Sequence, residues 1–198
     1  MESKDVYAEL SSIKNIMERS TRFISLSGLA GVMAGIYALA GAGVAYQLLN
    51  NGPADVQLLV AVALGVLVIS MGTAIWLSYR KASKKGQSIW TQSSKALLFA
   101  GMVPLVTGGC FTLMILSQGN YELIAPCCLI FYGLSVVSAS KYTFGDVKWL
   151  GILEILLGLI ATLLPGYGLL FWALGFGVLH IIYGTIMHFK YDRESIAQ

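Results

Sequence analysis

The chain has 198 residues, of which 57% are hydrophobic and only 12% charged, with a formal net charge of +3. That charged share is about half of what a soluble domain carries, and with a strongly positive mean hydropathy it excludes an ordinary soluble globule. The net charge is too small for a nucleic-acid partner, and the three cysteines form no CxxC or other metal-ligand spacing.

Residues 1–22 read as an amphipathic helix, with Val6, Leu10, Ile13 and Met17 at helical spacing and a charged opposite face. Through Arg22 this segment balances four basic residues against four acidic ones, which argues against recruitment by anionic lipid. It is expected to lie along the inner membrane surface or against the rest of the protein; pairing with a partner helix is the alternative. Ala38-Leu39-Ala40 resembles a signal-peptide cleavage site. The charged region before it is too long, however, and the apolar run continues past it to Leu49, so no cleavage is expected.

Residues 23–190 form the expected transmembrane domain. A spanning helix needs roughly 20 mostly apolar residues. Six stretches qualify: Phe23–Leu49, Val56–Tyr79, Ala96–Ser117, Tyr121–Ala139, Trp149–Leu164 and Gly168–Phe189. The connectors are short and carry turn residues, namely Asn50-Asn51-Gly52-Pro53, Gln118-Gly119-Asn120 and Pro165-Gly166. Short connectors imply antiparallel neighbours, so the fold class is an all-α, six-helix up-down bundle. The alternating pattern of a membrane β-strand is missing from every segment.

The positive charges fix an expected orientation. With six alternating helices, all thirteen Lys and Arg residues fall on one side: the N-terminus, the Arg80–Lys95 loop, the Lys141–Lys148 loop and the C-terminal end with Lys190 and Arg193, whose tail covers 191–198. The connectors of the other side hold only Asp55 and Glu122. The positive-inside rule makes the basic side cytoplasmic, with both termini inside. A miscount by one helix would scatter the charges over both sides.

Glycines recur at a fixed spacing. Gly28/Gly35, Gly101/Gly108 and Gly151/Gly158 are each seven apart on odd-numbered helices, and Gly65/Gly72 and Gly177/Gly184 match on even-numbered ones. The fourth helix offers Pro126/Gly133, and Gly31/Gly35 adds a GxxxG pair. Small residues two turns apart make a groove for a neighbouring helix, and three pseudo-repeated helical hairpins would explain the pattern. The last hairpin, WLGILEILLGLIATLLPGYGLLFWALGFGVLHIIYGT over 149–185, resembles the repeat unit of the HdeD-type acid-resistance membrane proteins: a Gly, a second Gly seven residues on, a Pro-Gly turn and a second Gly-bearing helix. The resemblance covers about forty residues. It implies a three-hairpin build, a bacterial cytoplasmic (inner) membrane and a non-catalytic structural or stress-related role.

Few polar side chains fall inside the expected spans. Glu154 lies roughly 9 Å inside the cytoplasmic end of the fifth helix at 1.5 Å per residue. An ionised carboxylate there costs at least a few kcal/mol, so it should face the bundle and find a partner. Counted from Pro165-Gly166, Glu154 and His180 come within roughly 3 Å in depth, making His180 its natural partner. Such a pair would either move a proton or simply hydrogen-bond between helices. Tyr37, Tyr132 and Tyr183 are candidates to line a central cavity or to fill it. Cys110, Cys127 and Cys128 share a depth in the outer half, where a redox pair and plain packing are the two readings. Pro104 and Pro126 are expected to interrupt their helices, as kinks or as binding-site breaks. Trp76, Trp90, Trp149 and Trp172 suit an interfacial aromatic belt.

A haem held by His180 and His188 is excluded, since both lie on one helix and axial ligands must approach iron from opposite faces. Nucleotide-loop, metalloprotease and serine-nucleophile motifs are missing, and no cofactor is expected. Three functions stay open. The first is a non-catalytic HdeD-like membrane protein; the second, a small-solute or proton transporter or channel using Glu154 and His180; the third, an intramembrane redox or lipid enzyme. The lipid bilayer is the expected partner, and self-association is compatible with all three.

Overall fold

The computed structural model describes residues 27–51, 55–84, 86, 88 and 90–192. The amphipathic segment expected over 1–22 and the last six residues lie outside this range. The described residues form six helices and no strands: α1 (Gly28–Asn50), α2 (Val56–Lys84), α3 (Gln92–Ser117), α4 (Ile124–Ala139), α5 (Val147–Leu163) and α6 (Gly168–Asp192). Single 3₁₀ turns, Tyr121–Leu123 and Ser140–Tyr142, flank α4.

The helix starts are set by local hydrogen bonds. At α2, Asp55 Oδ1 accepts from the Gln57 and Leu58 amides at 3.0 and 3.2 Å, satisfying donors that the first turn leaves without partners. At α3, Thr91 and Ser94 form a reciprocal capping box, Ser94 N donating to Thr91 Oγ1 at 3.1 Å and Thr91 N to Ser94 Oγ at 2.9 Å. This cap starts α3 four residues earlier than the apolar pattern indicates, and α2 runs five residues past Tyr79. Gly166 takes a φ of +88° in the α5–α6 turn, a conformation that suits glycine.

The packing is that of a chain turned outward. Large apolar side chains cover the surface, including Phe99 at 76% exposed and Leu163 at 79%. The interior is built instead from small residues, with Ala30, Ala38, Ala42 and Ala45 buried along α1. Such an apolar surface has no place in water. Five helices are long and apolar enough to cross a membrane: α1, α2, α3, α6, and α4 with its flanking turns. Surface and helix lengths together mark a membrane protein.

Close contacts show that neighbouring helices run antiparallel. A Cβ on Gly28 would meet His188 and Gly184 of α6, and one on Gly35 would meet Gly177 and Ile181, so α1 and α6 cross in opposite directions. Gly151 meets Gly133 and Val137 of α4, and Gly158 meets Pro126 and Ile130. Gly101 and Gly108 pack on Ser135 and Phe131. The seven-residue spacing therefore does mark helix seams on α1, α3 and α5. On α2 it does not, since a Cβ on Gly65 or Gly72 would meet nothing within 4 Å.

α2 is the outlier of the bundle. It packs along α1, through Val62 and Val66 against Gly41, and has no extensive seam with α3. Only Ser78 and Ala82 are buried in it. Its basic end is tied down by Lys81, which donates to Asp192 Oδ1 at 2.6 Å; Asp192 Oδ2 accepts from Gly28 N at 3.1 Å and lies 3.1 Å from His188 Nδ1. Beside this cluster, Lys190 and Tyr191 both donate to Asp146 Oδ2.

The expected helix breaks are elsewhere. α3 runs without interruption through Pro104, and Pro126 sits in the first turn of α4, where its missing amide leaves no gap. The irregular helix is α6, which widens to π geometry over Ala173–Leu179 and again over His188–Asp192.

Candidate functional site

The π stretch of α6 lies against the one acidic side chain of α5. Glu154 is 0% exposed. Its carboxylate rests on Gly175, where a Cβ would stand 2.5 Å from Oε2 and 2.4 Å from Leu129 Cδ2, so a larger residue at 175 would displace it. A π turn widens a helix by one residue and is common where a helix is shaped around a function. Here it accompanies two glycines, Gly175 and Gly177, at the seat of the carboxylate.

His180 lies five residues beyond Gly175 and is 6% exposed. Its Nδ1 is 3.0 Å from the Gly175 carbonyl oxygen and 3.3 Å from Glu154 Oε1. Hydrogen-bond geometry favours the carbonyl, because neither Glu154 oxygen has a hydrogen-bond partner among the described residues. A carbonyl can only accept, so Nδ1 carries a proton. The other ring nitrogen, Nε2, is 2.7 Å from the Tyr132 hydroxyl of α4. Glu154, His180 and Tyr132 thus form one series across α5, α6 and α4.

This geometry permits two states. With a neutral imidazole, Nε2 is bare and Tyr132 donates its hydroxyl proton to it. With an imidazolium, Nε2–H donates to the Tyr132 oxygen and the tyrosine's own proton is released for another acceptor. Glu154 at 3.3 Å would supply the counter-ion that the second state requires at a buried position.

The series ends at a cavity of about 390 Å³, within the roughly 300–1,000 Å³ of small-molecule sites. Its walls come from α1, α2, α3, α4 and α6, and include Ala38, Leu67, Gly109, Tyr132, Phe176 and His180. Tyr132, Trp172, Phe176 and His180 form a continuous aromatic face, with ring centroids 5.0 Å apart for Tyr132–Phe176 and 5.4 Å for Trp172–Phe176. Among the described residues, Ser70, Thr112 and Cys128 are the other polar side chains on the wall.

The remaining sequence candidates are placed differently. Tyr37 accepts a long hydrogen bond from Thr73 Oγ1 at 3.5 Å and is not on the cavity wall. The Tyr183 hydroxyl is buried without a hydrogen-bond partner among the described residues, also away from the wall. All three cysteines are free: Cys110 exposed, Cys127 buried and Cys128 half-buried on the cavity wall. Trp172, expected in an interfacial belt, lies on the cavity wall. Depth counting reached Glu154 and His180. It missed Gly175 and Phe176, whose only signal is their place in the Gly-Phe-Gly run of α6. No family model, curated protein or solved structure matches the chain.

Proposed function

We propose that this chain is a proton-linked small-solute transporter or channel of the bacterial cytoplasmic membrane, with all six helices crossing and both termini cytoplasmic. α5 has 17 residues and, unlike the 16-residue α4, no flanking turns that lengthen it, yet it lies within the roughly 17–25 residues that span a bilayer. The one-sided distribution of Lys and Arg supports its counting as a span.

One observation carries the functional reading: the Glu154–His180–Tyr132 series leads from a fully buried carboxylate to the cavity wall. An acidic side chain inside a membrane is costly, and here it is seated against a glycine and an imidazole that can neutralise it. A proton held on His180 reorients the Tyr132 hydroxyl, so proton uptake and the polarity of the cavity wall change together. Among the described residues, the other titratable side chain on that wall is Cys128 of α4; Tyr37 of α1 faces Thr73 of α2.

The test is flux into proteoliposomes under an imposed pH gradient. Glu154→Gln is expected to abolish proton-linked uptake while the helical fold survives. Equal uptake by variant and parent would end this reading.

A second reading is a non-catalytic, stress-related membrane protein of HdeD-like build. The glycine seams of α1 with α6 and of α4 with α5 favour it, since repeated hairpins would produce such matching seams. It expects no flux from either protein.

A further inference from the structure

The cavity has a side entrance. α2 and α3 both supply wall residues, yet they share no extensive seam. Leu64 of α2 and Leu113 of α3 lie on the wall and are still 54% and 60% exposed, so the wall continues into the outer apolar surface between these helices. An occupant therefore comes from the lipid phase.

The wall specifies its chemistry. Most of it is aliphatic or glycine, and one face is the set of rings formed by Tyr132, Trp172, Phe176 and His180. Aromatic faces stack on flat unsaturated groups. At this face the Tyr132 hydroxyl becomes a donor toward the cavity whenever Nε2 of His180 is protonated, because the imidazolium then occupies the tyrosine oxygen. A donor in an apolar site selects a ligand with one good acceptor on an otherwise apolar body, since an unmatched polar group would be desolvated without return.

We infer that the cavity binds a planar, lipid-soluble carbonyl compound, admitted sideways from the bilayer between α2 and α3, with its carbonyl oxygen accepting from Tyr132. This names the solute class of the site proposed above and rests on the Tyr132–His180 pair as the polar group of its aromatic face, with Ser70, Thr112 and Cys128 on other parts of the wall.

The experiment photolabels the full chain in lipid nanodiscs with a 4-alkylbenzophenone, a diaryl ketone that is its own crosslinker, and maps the adducts by mass spectrometry. Saturable adducts are expected on peptides holding Phe176 and Cys128, competed by an alkyl aryl ketone and not by the alkylbenzene that lacks the carbonyl. Tyr132→Phe keeps the shape and is expected to weaken ketone competition about tenfold. Gly109→Phe, at a wall position whose Cβ would meet nothing within 4 Å, is expected to abolish the saturable adducts. Ala63→Phe does the same from α2 and serves if the first variant does not fold. Adducts only on outward residues such as Phe99, unchanged by both filling variants, would mean partitioning into bulk lipid and overturn the inference. Unaltered competition in Tyr132→Phe would equally overturn it. Saturable labelling in a protein without proton flux removes the transport reading and keeps the ligand; proton flux without saturable labelling removes the ligand alone.

Discussion

Gly133 of α4 and Gly151 of α5 meet backbone to backbone: a Cβ on Gly133 would lie 2.6 Å from the Gly151 carbonyl oxygen, and one on Gly151 2.7 Å from that of Gly133. Neither carbonyl can move without its helix. Gly151→Leu is therefore expected to push the helices apart and destabilise the protein by about 1–3 kcal/mol or more, the cost of overpacking. Gly65→Leu, on the open face of α2, is the matched control and should change little. Unfolding by a graded anionic detergent measures both, and equal effects would contradict the packing.

Gly175 has a different neighbour. Its absent Cβ leaves room for Glu154 Oε2 and Leu129 Cδ2. Gly175→Ala should displace the carboxylate from His180, costing about 1–3 kcal/mol by the same overpacking and reducing proton-linked uptake with it. The cost should shrink in a Glu154→Ala background, because one of the two clashes is gone. Full additivity of the two substitutions would show that they do not touch.

The hydrogen bonds from Lys190 and Tyr191 hold the Asp146 carboxyl below its ordinary value. A carboxyl lowered on folding contributes stability that is complete above its unfolded value, near 3.9, and is lost as pH falls through the folded value. Asp146→Asn is thus expected to flatten the loss of stability below about pH 4. Above that range the curve should shift only slightly, since the pair is exposed. Thermal unfolding of detergent-solubilised protein between neutral pH and about pH 3 provides the comparison; an unchanged acid limb would count against the linkage.

Single cysteines in a background without the three native ones test the orientation. Asn51 and Gly166 should react with a membrane-impermeant maleimide on intact cells. Ser88 and Gly145 should react only after permeabilisation. Reaction of Gly166 and Gly145 from the same side would mean that α5 does not cross.

Much of the architecture was legible because lipid imposes simple rules. Apolar length, short connectors and one-sided charge each pointed to an up-down helical bundle, and turn counting put Glu154 and His180 at one depth. What depth cannot supply is rotation. The Tyr132 partner depends on α4 lying beside α6, and α4 is joined to α6 only through α5. The glycine spacing marked real seams on α1, α3 and α5 but gave the same signal at Gly65 and Gly72, which face nothing. Periodicity reports a small-residue face without saying whether a helix covers it. Proline misled for a related reason: α3 absorbs Pro104, while α6, which has no proline, is the helix that widens.

The one-sided mooring of α2 has a mechanical outcome. Its seam with α1, where Val66 fills the hollow at Gly41 and Thr73 reaches Tyr37, and its root at Lys81–Asp192 fix where it stands. The gap facing α3 is therefore set partly from behind: a bulkier side chain at position 41 would press on Val66 and is expected to tilt α2 about its root. With about 38 Å between Val56 and Lys81, a tilt of about 5° moves the far tip by about 3 Å. The opening inferred between α2 and α3 would then change width with no change in a residue that borders it.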